Sequence, residues 1–83
     1  MGINYESLPE GLQGGLMQYI EHGIEPGGFL KAVLTNDLFG AFGQADSINR
    51  HRMFDIFQWL YNEAPSQCWG SKERFEAWIE KRR

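Results

Sequence analysis

Cysteine is almost missing from this sequence: Cys68 is the single one among 83 residues. One thiol closes no intramolecular bridge, so the fold must hold without a disulfide, and a reducing compartment is its natural setting. Long apolar runs are missing too. No stretch reaches the roughly 20 residues that a membrane helix needs. The first residues lack the basic region and apolar core of a secretory signal, so the expected location is cytoplasmic. Basic residues are scarce in the first half. Residues 1–47 hold one Lys (Lys31) against six acids, about −5, and residues 48–83 hold seven Lys and Arg against five acids, about +2, which together give the overall −3. That balance lacks the basic footprint of a duplex-DNA binder. It also has too few carboxylates for a DNA mimic. No useful length of apolar–polar alternation appears, which removes the main signature of a half-buried strand.

Aromatic residues are plentiful: six Phe, three Tyr and three Trp. A single domain of this length has a small core and needs such large pieces. Surplus aromatics enrich protein interfaces. The chain reads as an all-α, compact bundle of about four helices. Met1 to Glu6 has no pattern and is expected to be loosely held. Ser7-Leu8-Pro9-Glu10 has capping-box spacing and predicts a first helix over 8–22, with Leu12, Leu16, Tyr19 and Ile20 on one face. Gly11, Gly14 and Gly15 weaken that helix. Gly23 suits the left-handed residue after its end. Pro26 restarts a second helix over 26–44, with Leu30, Val33, Leu34, Leu38, Ala41 and Ala45 in phase. Its weak point is Thr35-Asn36-Asp37, where Asn36 is placed to cap a separate helix; the apolar phase favours continuity. Asp46-Ser47 caps a third helix over 47–63, cored by Met53, Ile56, Phe57 and Leu60. Phe54 and Tyr61 lie to one side of that stripe and Trp59 to another. Pro65 ends it, and Ser71 caps a fourth helix over 71–82 with Phe75, Trp78 and Ile79 inward.

Few residues suggest chemistry. Asn36, Asp37, Asp46 and Asn49 are better read as caps and turn residues than as a site. His22 precedes Gly23 at a helix end, where a donor meets free carbonyls. Cys68 with His22 or His51 lacks any nucleophile signature and reads as a small buried residue. One Cys and two scattered His are too few for an ordinary metal site. Gly27-Gly28 lacks the spacing and Lys of a phosphate loop. No catalytic residue, cofactor or metal is assigned. Arg50-His51-Arg52 is a basic patch near a helix's positive end, with Phe54 beside it; its first reading is a plain solvated face, and its second is a contact for an acidic partner or a phosphate. Trp69, in a loop next to Gly70, either plugs the core or anchors a partner. The partner-binding candidates are Arg50, Arg52, Phe54 and Trp69.

One longer pattern is specific. Tyr19-x-x-His22-Gly23-Ile24-x-Pro26-Gly27-x-Phe29-Leu30-x-Ala32-Val33-Leu34-x-Asn36-Asp37-Leu38, Ala45-Asp46-x-x-Asn49, Trp59-Leu60-Tyr61-Asn62, Pro65 and Trp69-Gly70-Ser71 resemble a group of small uncharacterised proteins of bacteriophages and prophages. The resemblance covers about residues 8–80. It implies a phage accessory protein in the bacterial host cytoplasm that acts by binding a host or phage protein, such as a host enzyme or defence component. Self-association is the other expected use of a surplus apolar surface. A nucleic-acid-associated regulator is the alternative, because the second and third predicted helices, joined at Ala45-Asp46-Ser47, loosely imitate a helix-turn-helix. An enzyme ranks third.

Overall fold

The computed structural model describes residues 3–82. Among the described residues there are helices and no strands: a 3₁₀ turn Tyr5–Ser7, α1 Glu10–His22, α2 Gly28–Leu34, α3 Leu38–Gln44, α4 Ser47–His51, α5 Met53–Glu63, a 3₁₀ turn Ser66–Cys68 and α6 Lys72–Arg82. The all-α expectation stands. The count of four is corrected to six α-helices, because two of the four predicted helices are divided.

The helix expected over 26–44 breaks at the weak point. Asn36 takes a left-handed φ of 64°, a conformation Asn tolerates better than most residues. Asp37 then caps α3, its Oδ1 accepting from the backbone N–H of Gly40 at 2.9 Å. Gly40 belongs to this device, since a Cβ there would run into the Asp37 carboxylate. Cap chemistry outweighs the apolar phase, and Leu38, expected in the core, is exposed. The helix expected over 47–63 is stepped at Arg52, where φ is −106° and ψ 10°. Arg52 N–H donates to the carbonyls of Ile48 and Asn49, and the Arg52 carbonyl accepts from Ile56, so α4 ends on Arg52 and α5 starts from it. Asp46 caps α4 as expected, accepting from Asn49 N–H at 2.8 Å.

Boundaries shift by a residue or two elsewhere. α1 starts at Glu10 rather than at residue 8: Pro9 is the cap residue, and Ser7 closes the preceding 3₁₀ turn. α2 starts at Gly28, with Gly27 rather than Pro26 at its cap. Ser71 Oγ accepts from Arg74 N–H at 3.1 Å and caps α6.

The core takes Leu12, Leu16, Tyr19 and Ile20 from α1, Leu30, Val33 and Leu34 from α2, and Ala41 from α3. Met53, Ile56, Trp59 and Leu60 of α5, Cys68, and Phe75, Trp78 and Ile79 of α6 complete it. Trp59, read from sequence as lying off the main stripe, is therefore core, and Phe57 is only half-buried. α6 closes against the end of α1. Gly23 ends α1 with φ 69°, and a Cβ there would meet the Arg82 Cβ at 2.7 Å, so both conformation and space require glycine. Trp78 Nε1 donates to the Tyr19 and Ile20 carbonyls, and Arg82 Nε donates to the Ile20 carbonyl at 2.6 Å while its guanidinium lies 3.7 Å above the Trp78 ring. Arg82, at the end of its own helix, thus satisfies the carbonyl end of another. Of the α1 glycines only Gly15 packs closely, with Leu30 Cδ1 3.1 Å from where its Cβ would stand.

The segment expected to be loose over 1–6 is anchored where it is described. Trp59 Nε1 donates to the Asn4 carbonyl at 2.7 Å, the Tyr5 and Trp59 rings lie 5.5 Å apart, and Tyr5 Oη donates to Glu21 Oε2. Residues 1 and 2 lie outside the described residues.

Candidate functional site: an aromatic ridge on α4 and α5

Helical spacing places Phe54 and Tyr61, seven residues apart, on one side of α5. Phe54 is 76% and Tyr61 79% exposed. Phe57 lies half-buried beside them and packs on the core. The Tyr61 ring meets Trp69, centroids 6.5 Å apart. Trp69 itself is half-buried against the core, and its Nε1, which is out of contact with solvent, has no acceptor among the described residues. The core-packing reading of Trp69 therefore stands, and its ring also reaches Tyr61 at the end of the ridge.

Arg50 stands four residues before Phe54 and is exposed. His51 is also exposed, and its Nδ1 donates to the Ser47 carbonyl at 2.8 Å. Arg52 points elsewhere. Its Nε donates to Asp55 Oδ2 at 2.8 Å, a pair between partly exposed side chains, and the residue lines a cleft of about 320 Å³ with Leu12, Asp46 and Ile48. The structure brings Tyr61 and Trp69 together with Phe54 on the same side of α5, pairs Arg52 with Asp55, and leaves Arg50 exposed on α4.

Sequence reading missed a second face. On α3, Leu38 is 51%, Phe39 93% and Phe42 43% exposed, while only Ala41 is buried. Positions 38, 39 and 42 are neighbours at helical spacing. The signal was in the letters: Leu38, Phe39, Ala41 and Phe42 are more apolar residues than one face of a seven-residue helix can bury.

The polar candidates resolve into structural roles. Asp37 and Asp46 are caps, Asn36 is the left-handed turn residue, and His22 is exposed at the end of α1. Cys68 is fully buried, and burial pushes its thiol up to about 12 from an ordinary 9.0. Such a thiol is a poor nucleophile. Tyr19 Oη donates to the Cys68 carbonyl at 2.7 Å and its ring stacks on Phe75, which fixes the loop against the core. Among the described residues no group of three His, Cys, Asp or Glu is placed to hold a metal ion, and no helix is long and apolar enough to cross a membrane.

The chain was compared with protein-family models, with curated proteins and with solved structures, and none of them matches it.

Proposed function

We propose that this chain is a small accessory protein of phage type that acts without catalysis, by binding a protein partner in a bacterial cytoplasm. The partner class is a host enzyme or a component of host defence. The observation that supports this reading is the ridge of Phe54 and Tyr61, both more than three-quarters exposed, with Trp69 at one end and the Arg50 cation at the other. Large solvent-facing aromatics next to an arginine are the composition of interface hot spots. A cationic rim then favours a partner surface that carries carboxylates and speeds encounter with it.

Tagged wild-type chain and variants, incubated with host lysate, test the reading. Phe54→Asp and Arg50→Glu should each sharply reduce capture of the partner while the helical circular dichroism spectrum and Tm stay near wild type. Arg52→Glu should reduce it less, because Arg52 is turned toward Asp55. Equal capture by wild type, Phe54→Asp and Arg50→Glu would place the contact on another surface.

A further inference from the structure

The exposed apolar surface consists of two faces that flank one loop. Tyr61 on α5 touches Trp69. The next residue, Gly70, donates its backbone N–H to the Leu34 carbonyl at 2.9 Å, where α2 ends and the turn into α3 begins. The face of Leu38, Phe39 and Phe42 therefore starts just across the Trp69–Gly70 loop from the ridge.

Area decides how such faces can be covered. At about 200 Å² per aromatic residue, the exposed parts of Phe54 and Tyr61 come to roughly 300 Å², and those of Phe39 and Phe42 to slightly less. A specific interface needs about 1,000 Å² in total, or roughly 500 Å² per partner. Either face set against its own copy falls short. Both faces together supply roughly 600 Å² per copy before Leu38 is counted.

Charge points to the same arrangement. The α3 face carries no charged side chain, and the exposed Asp37 carboxylate stands at its start. The ridge begins with Arg50 and His51, and the nearby acid, Asp55, is already paired with Arg52. Two ridges face to face would offer Arg50 only Asp55, which is already paired. A ridge laid on an α3 face brings the Arg50 side of one copy toward a surface flanked by a carboxylate.

We propose that a second copy of this chain covers the ridge, with α3 of each copy seated on α5 of the other about a two-fold axis. The proposal rests on the ridge being a protein-binding face: the second copy covers it in the free protein, and a host partner displaces that copy. A closed two-fold pairing uses both faces of both copies and leaves neither open to further growth.

Sedimentation and a cross-link test it. Wild-type chain should sediment at twice the mass of one chain. Phe39→Glu and Phe54→Glu should each sediment as folded monomers with wild-type helix content, since both side chains are exposed, and their Tm should be lower than wild type and independent of concentration. Under mild oxidation, the double variant Phe39→Cys/Phe54→Cys should form a covalent dimer, and the single variants Phe39→Cys and Phe54→Cys should not; the buried Cys68 takes no part. A wild-type chain that is monomeric at every concentration overturns the proposal, as does a single variant that cross-links to its own copy. Neither result touches the ridge as a binding face, which stands or falls on whether Phe54→Asp loses capture from lysate.

Discussion

At the scale of the residue, the three tryptophans carry different duties, and their hydrogen bonds rank them. Trp59 Nε1 holds the Asn4 carbonyl and Trp78 Nε1 is shared between two carbonyls at the end of α1. Trp69 Nε1 has no acceptor among the described residues. A buried donor without a partner costs about 1–3 kcal/mol, and losing a hydrogen bond whose acceptor keeps another donor, as the Tyr19 and Ile20 carbonyls keep Gly23 N–H and Arg82 Nε, costs about 0.5–1.5 kcal/mol. Trp78→Phe and Trp59→Phe should therefore lower Tm by several degrees. Trp69→Phe keeps a ring in place and deletes the unpaired N–H, so its Tm should match or exceed wild type. Thermal melts of the three variants settle the order, and a Trp69→Phe that melts lowest would mean its N–H is bonded in solution. Burial makes a related point at Cys68, which should react with a thiol reagent only after the chain unfolds.

At the scale of the element, the break between α2 and α3 shows what was legible in the sequence. The inward faces of α1 and α6 were readable because each is an uninterrupted 3.6-residue pattern between clear signals, Gly23 closing one and Ser71 opening the other. The cap chemistry of Asn36 and Asp37 was also visible. Its dominance was not, because Leu38 and Ala41 keep the apolar phase across the break, and only packing reveals that Leu38 faces outward. The exposed α3 face was lost with that choice. The anchoring of Asn4 and Tyr5 was invisible for another reason: it depends on Trp59, far away in sequence. Asn36→Ala distinguishes the broken helix from a continuous one. In a continuous helix alanine would stabilise, since Asn is the poorer helix former by up to ~0.7 kcal/mol. At a φ of 64° alanine should instead destabilise by about 1 kcal/mol, because the left-handed conformation crowds its Cβ. A rise in Tm for Asn36→Ala would restore the continuous helix.

At the scale of the whole molecule, stability rests on a small core, and a few buried groups carry a large share of it. Leu34 is fully buried at the end of α2, and Leu34→Ala should cost about 2–5 kcal/mol, much of what a domain this small holds. The same burial sets a pH limit. Loss of solvent around the Cys68 thiol lifts it from 9.0 to about 12. The hydroxyls of Tyr5 and Tyr19 are raised above their ordinary 10.0 for the same reason, and Tyr5 is raised further by its hydrogen bond to Glu21. Each group is neutral when protonated, so the folded chain holds these protons more tightly than the unfolded chain does. The stability they provide is fully present below pH 9 and is lost as pH climbs through the folded values; for the thiol that window runs from about 9 to about 12. Tm measured from pH 7 to pH 11 should be insensitive to these groups up to about pH 9 and should then fall with increasing slope. Cys68→Ala should flatten the first part of that fall, whatever it does to the neutral-pH Tm, because the unfolded thiol is the first of the three to ionise. A Tm that holds constant to pH 11 would mean that these protons are bound equally by folded and unfolded chain, and that the pocket around Cys68 is open to water.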